Sequence, residues 1–174
     1  MDVTHSAPLR GVILDMDGVL VDSEPFIREA AGRMFAEKGY HVNPHDFDAF
    51  VGTGEDRFIG GVAEQYGIPL LMPQDKERTY ALYLELIRGH LQALPGVHPF
   101  IEECRRLHLK LAVASSADAV KVEGNLHEIG RGNQFVDLFD QSRRIYVRLQ
   151  PGQMYSRAES QPNWDTGYSG NWAQ

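Results

Sequence analysis

Two carboxylates stand two residues apart in Asp15-Met16-Asp17-Gly18-Val19-Leu20-Val21-Asp22-Ser23, directly after the apolar run Gly11-Val12-Ile13-Leu14. The run reads as a buried parallel strand, and the C-terminal ends of such strands are where an open α/β sheet binds ligands. Gly18 lets the chain leave the strand sharply. Hard carboxylate oxygens there suit Mg²⁺, which takes few carboxylates and completes its shell with water and substrate phosphate. An aspartate held beside Mg²⁺ can attack phosphorus and form an aspartyl-phosphate. A second carboxylate can exchange a proton with the leaving group or with water. As a bare pattern, Asp-x-Asp-Gly also fits an acidic turn or part of a calcium loop.

The elements around the pair set the context. From Glu24 to Tyr40, Phe26, Ala30, Met34 and Phe35 recur at helical spacing, and Gly39 is a plausible stop. Asp46–Val51, Glu55–Tyr66 and Gln74–Ile87 also read as helices. This helical block, residues 24–91, is too large for one crossover and reads as an inserted subdomain. His98–Leu107 is amphipathic through Phe100, Ile101, Cys104 and Leu107, and Leu109–Ala114 is a second core strand. Ser115-Ser116-Ala117-Asp118 then caps a helix running to about Ile129. A short strand is expected over Phe135–Phe139. The pattern is α/β: a doubly wound, Rossmann-like parallel sheet, incomplete, with a helical insertion. Segments 9–23 and 92–140 form the core, 24–91 the cap. Residues 141–174 form a divergent tail, expected to be poorly ordered over its last stretch, where Trp164 and Trp172 sit in no apolar stripe.

Composition narrows the partners. The chain has 174 residues, 43% hydrophobic and 24% charged, normal for a globular protein. A net charge of −7 argues against nucleic acid or an anionic membrane as main partner, while a metal can still bridge acidic residues to a small anion. The single cysteine, Cys104, cannot form an internal bridge and lies on the apolar helix face, as a core thiol does. No apolar run approaches the roughly 20 residues that span a bilayer, and Met1–Arg10 has no signal-peptide core. A cytoplasmic location is expected of the chain as written. His41, His45, His90, His98, His108 and His127 show no metal-ligand spacing.

Taken together, the strand, Asp15-x-Asp17-Gly18, Asp22, Ser23 and the helical block resemble the first motif of the haloacid dehalogenase-like hydrolase superfamily. The cap position resembles the subgroup containing β-phosphoglucomutase and small sugar-phosphate or nucleotide phosphatases. Gly52–Gly61 and Ala112–Leu126 resemble, more narrowly, the corresponding domain of a plant chloroplast protein. A chloroplast location follows if the chain is a fragment of a longer plant protein. The resemblance covers roughly residues 9–140. It implies a Mg²⁺-dependent phosphatase of a small phosphorylated metabolite. Asp15 would be the nucleophile and Asp17 the acid/base, with the Asp15 carboxylate and Asp17 carbonyl holding Mg²⁺. Gly18, Ser115 and Ser116 would contact phosphate, Ser115 as the second motif. In the cap loop Val51-Gly52-Thr53-Gly54-Glu55-Asp56-Arg57, the arginine that grips a distal phosphate in the sugar phosphomutase matches Glu55. Arg57 is a candidate phosphate contact, with a salt bridge or solvated face as its alternative role.

Two family elements are not met. In Leu149-Gln150-Pro151-Gly152, Gln150 stands where the charge-neutralising lysine is expected, and no acidic pair follows, Asp165 being alone. Arg143, Arg144 and Lys121 could supply a cation, but none has motif context. The alternative expectation is therefore a catalytically inactive, truncated relative, acting as a binding or regulatory module or without function alone.

Overall fold

The computed structural model describes residues 9–130 and the strand segments 137–139, 145–148 and 154–156. Strand β1 (Gly11–Asp15) pairs in parallel with β2 (Lys110–Ala114), Gly11 opposite Lys110 and Asp15 opposite Ala114. Strand β3 (Asp137–Phe139) continues the parallel pairing from β2. Strands β4 (Ile145–Arg148) and β5 (Met154–Ser156) add on antiparallel, giving the order β1-β2-β3-β4-β5. Between β1 and β2 lie α1 (Glu24–Glu37), a 3₁₀ helix (Pro44–Phe50), α2 (Glu55–Tyr66), α3 (Gln74–Ile87) and α4 (Val97–Arg106); α5 (Ala119–Glu128) follows β2. This is the expected α/β, Rossmann-like core interrupted by helices. None of the described helices is long and apolar enough to cross a membrane.

Helix limits follow local chemistry. Helices α2 and α3 fall where their periodicity places them. Helix α1 stops at Glu37, short of Tyr40, because Gly39 takes a left-handed φ of 86° and the Tyr40 N–H turns back to the Phe35 carbonyl at 2.9 Å. The segment expected as helix over Asp46–Val51 is a 3₁₀ helix, capped by the Asn43 side chain, which accepts the His45 N–H at 3.0 Å.

Three expectations are corrected. Strand β1 is not buried on both faces: Val12 and Leu14 pack on the core, whereas Ile13 is 64% exposed. On α4, Phe100 and Leu107 are exposed, and the buried stripe is Val97, Ile101 and Cys104. Within the region after Asp140, where periodicity fades, β4 and β5 form short strands; residues 157–174, with Trp164 and Trp172, lie outside the described residues.

One apolar cluster runs from the sheet (Leu111, Val113) through Met16, Leu20 and Val21 into the cap. Phe47 stacks on Phe58 at 4.9 Å between ring centroids and meets Phe35 at 6.3 Å. Helices α1 and α3 are tied by charge: Arg78 grips Glu37 through two nitrogens, at 2.6 and 2.8 Å, and Lys38 Nζ donates to Asp75 Oδ2 at 2.6 Å. The same Asp75 oxygen accepts the Leu71 N–H at 2.7 Å, fastening the entry to α3. Burial raises the Asp75 pKa, but Lys38 and the Leu71 N–H outweigh it, so the carboxyl titrates below its ordinary 3.8.

Two predictions follow from this packing. Adjacent glycines of α2 differ sharply: a Cβ on Gly61 would lie 2.3 Å from the Phe50 ring, while one on Gly60 would meet nothing within 4 Å. Gly61→Ala is expected to cost about 1–3 kcal/mol in chemical denaturation. Gly60→Ala is expected to stabilise by up to about 1 kcal/mol, through helix propensity. Asp75→Asn is expected to cost about 1–3 kcal/mol at neutral pH, by removing a charged acceptor of two hydrogen bonds. A lowered carboxyl pKa stabilises above the unfolded value and ceases to do so as pH falls through the folded value. The gap between wild type and Asp75→Asn, measured by denaturation at a series of pH values, should therefore shrink as pH drops below 3.8.

Candidate active site

The loop after β1 is held from below. Met16, Leu20 and Val21 are buried, and the N–H groups of Leu20 and Val21 return to the Met16 carbonyl at 2.9 and 3.2 Å. Gly18 adopts a φ of 75° and donates its N–H to the Val21 carbonyl at 2.8 Å, a turn that a residue with a Cβ would strain. The Leu94 N–H bonds the Leu20 carbonyl at 2.9 Å, joining the loop to the chain re-entering the core. So anchored, the loop presents Asp15 and Asp17 to a pocket of about 630 Å³ between the strand ends and the cap.

Ser115 and Ser116 line the same pocket. The register accounts for this: Asp15 is opposite Ala114, so the residues following each partner emerge at one end of adjacent parallel strands. The Ser115 Oγ accepts the Ala117 N–H at 3.1 Å, so it also braces the turn into α5. Helix α5 is capped at Asp118, without a side-chain bond to the cap.

Asp15 is exposed to the pocket, one oxygen accepting the Met16 N–H at 2.7 Å. Asp17 is more tightly held: Oδ1 accepts the hydroxyl of fully buried Ser23, and Oδ2 accepts Lys121 Nζ at 3.1 Å. Lys121 is only 4% exposed and also meets Glu55 Oε1 at 3.3 Å. Glu55 opens α2, after Gly54 with a φ of 85°, and is 9% exposed. Burial raises the Glu55 pKa above its ordinary 4.5, partly offset by Lys121. Tyr80 of α3 is pushed up by burial and then by the Glu55 and Asp118 charges, so its hydroxyl stays protonated. Nearby, Lys76 bridges Asp56 of α2 at 2.7 Å and Asp118 of α5 at 2.9 Å, a second tie between cap and core.

Asp15, Asp17, Ser115 and Ser116 thus converge on one pocket. Gly18 shapes the loop without lining the pocket. Arg57 does not line it either: its guanidinium lies 3.0 Å from Glu64 and 5.3 Å from the centre of the Phe50 ring, with the side chain 55% exposed. Gln150, Arg143, Arg144 and Asp165 lie outside the described residues.

Sequence reasoning passed over Lys121 and Glu55 as members of one site. The signal lay in α5, whose buried positions Lys121, Val122, Asn125 and Leu126 form a helical stripe containing a lysine. A cation on an apolar stripe requires a carboxylate partner.

Among the described residues, no group of three or more His, Cys, Asp or Glu side chains is placed to hold a metal ion. The donors that Asp15 and Asp17 offer are nevertheless hard oxygens on one pocket wall, and Mg²⁺ draws the rest of its shell from phosphate and water.

The family model for haloacid dehalogenase-like hydrolases matches residues 9–155. Protein SUPPRESSOR OF QUENCHING 1, chloroplastic, of Arabidopsis thaliana is 43% identical over 122 residues, covering 68% of this chain and 12% of that protein. A phosphorylated carbohydrates phosphatase of Thermotoga maritima is 32% identical over 117 residues, covering 62% of this chain and 50% of the relative. Among solved structures, CbbY from Rhodobacter sphaeroides in complex with phosphate superposes with a TM-score of 0.70 at 21% identity, covering 78% of this chain and 64% of that one. The chain spans about half the length of its bacterial relative and an eighth of the plant protein. With the fold, the paired aspartates and the match over residues 9–155 in agreement, the chain belongs to the haloacid dehalogenase-like hydrolase family.

Proposed function

We propose that this chain is a Mg²⁺-dependent phosphatase acting on a small phosphorylated metabolite through an aspartyl-phosphate. The observation that carries the reading is the register: Asp15 and Ser115 leave adjacent parallel strands at the same end and share a pocket with Asp17. Residues 9–23 and 92–140 serve as the core and 24–91 as the cap.

In this reading an Asp15 oxygen attacks phosphorus, and the ester P–O bond breaks to leave an aspartyl-phosphate. Asp17 gives a proton to the departing oxygen and then takes one from the water that hydrolyses the acyl phosphate. Ser23 and Lys121 fix the Asp17 carboxylate for both transfers. Ser115, Ser116 and the N-terminus of α5 bind the phosphoryl oxygens. Lys121 contributes positive charge to a wall otherwise rich in carboxylates, where charge neutralisation is the larger part of catalysis. Bound Mg²⁺, held by the Asp15 carboxylate and the Asp17 carbonyl, would supply further neutralisation of the phosphoryl group.

The test is hydrolysis of an aryl phosphate with Mg²⁺. Asp15→Asn is expected to lower turnover by at least about 10³-fold, as removal of a nucleophile does, and chelation should silence the wild type. Turnover no higher than that of Asp15→Asn, from folded wild-type protein, would instead support a non-catalytic binding or regulatory module.

A further inference from the structure

Behind Asp17 lies a run of buried polar groups. Ser23, Tyr83 and Asn125 are each fully withdrawn from water. Ser23 is the N-cap residue of α1, Tyr83 belongs to α3 of the cap and Asn125 to α5 of the core. The two helices pack closely at Gly124, where Leu84 leaves no room for a Cβ. There the Tyr83 hydroxyl donates to Asn125 Oδ1, and Ser23 donates its hydroxyl to Asp17 Oδ1. Burial pushes the Tyr83 pKa up, so the group stays a hydroxyl at neutral pH, while hydrogen bonding to Ser23 and Asn125 works against that shift. One atom is left over: Asn125 Nδ2 is buried without a hydrogen-bond partner. The only hydroxyl proton of Ser23 is committed to Asp17, so between Ser23 and Tyr83 the tyrosine must donate. A half turn of the Asn125 carboxamide, which exchanges its oxygen and nitrogen in place, meets both demands. Nδ2 then donates to Tyr83 Oη, Tyr83 to Ser23 Oγ, and Ser23 to Asp17. What is left unpaired is a carbonyl oxygen, a milder deficit than a buried N–H.

We propose that Asn125, Tyr83 and Ser23 form a one-way chain of hydrogen-bond donors ending on Asp17, with Tyr83 as a positioning residue for that acid/base. The inference rests on the phosphatase reading for the role of Asp17. No proton travels along the chain. It sets the rotation of the Asp17 carboxyl group, whose other oxygen is held by Lys121 at 3.1 Å. The Lys121 ammonium itself lies 5.8 Å from the centre of the Tyr83 ring. Tyr83 thus stands behind both groups that hold Asp17, and it reaches them from the cap. A carboxyl group so fixed meets the departing oxygen in one orientation, and small misplacements of such a group are costly to catalysis.

The experiment compares an alkyl phosphate with para-nitrophenyl phosphate on the full chain. An alkoxide needs a proton to depart, whereas para-nitrophenolate leaves without one, so a displaced acid harms the alkyl ester more. The readout is the alkyl-to-aryl ratio of kcat/KM, which covers only the steps up to the aspartyl-phosphate. Tyr83→Phe, which keeps the ring and removes the hydroxyl, is expected to lower that ratio by about tenfold or more. Ser23→Ala should lower it similarly, and Tyr83→Phe should add little in the Ser23→Ala background, because both cut one chain. Should Tyr83→Phe not fold, Asn125→Leu, close in shape but unable to donate, takes its place, with a fall of about threefold or more expected. A ratio unmoved by the variant that folds, equal losses on both esters, or additive effects of the two substitutions would overturn the chain while aryl turnover leaves the phosphatase reading standing. Wild type active on the aryl ester alone has no working acid and overturns it too. Wild type inactive on both esters overturns the phosphatase reading, and the positioning role with it.

Discussion

Lys121 sits where three parts of the chain must agree. Its ammonium, almost wholly withdrawn from water, joins the loop after β1 through Asp17, the cap through Glu55, and α5 through its own backbone. A buried cation is costly unless its partners are held at short range, and removing one partner of such a group typically costs about 3–5 kcal/mol. The arrangement therefore constrains more than charge. The Asp17 carboxylate has one oxygen fixed by Ser23 and the other by Lys121, so its orientation is set from both sides. The cap cannot lift away from the core at α2 without separating Glu55 from Lys121. The Tyr83 ring, 5.8 Å beneath the ammonium, supplies a face that suits a cation and belongs to α3, the helix that packs along α1.

The floor of the site depends on a different force. Met16, Leu20 and Val21 are buried, so the apolar cluster of the protein reaches the loop that carries the two aspartates. Returning backbone hydrogen bonds close the turn, and Asp15, one oxygen of which accepts the Met16 N–H, faces the pocket. Burial below and backbone bonding within the loop together give rigid placement to acidic groups that would otherwise repel one another.

Much of this was legible in the residues. The paired aspartates after an apolar strand located the floor, and strict helical spacing placed α2 and α3 at their observed limits. What escaped has a common physical cause: it depends on contacts between segments distant in sequence. Lys121 and Asp17 are 104 positions apart, and no local pattern joins them. Arg57 could be read as a phosphate contact or as a salt-bridge partner, and its ion pair with Glu64 and its place over the Phe50 ring match the second reading. Ile13 reads as core by its type, but which face of a strand is covered depends on neighbours that the strand itself does not encode. Phe100 and Leu107 share this ambiguity, since helical spacing defines a stripe but not its width.

Glu55 keeps a carboxyl group where burial opposes its charge. Burial raises its pKa because a charged carboxyl is poorly placed away from water, and Lys121 recovers part of that cost. A well-packed neutral side chain would fit the fold more comfortably. The carboxylate instead keeps the cap side of the pocket acidic, opposite an acidic floor, and leaves a single shared ammonium between them.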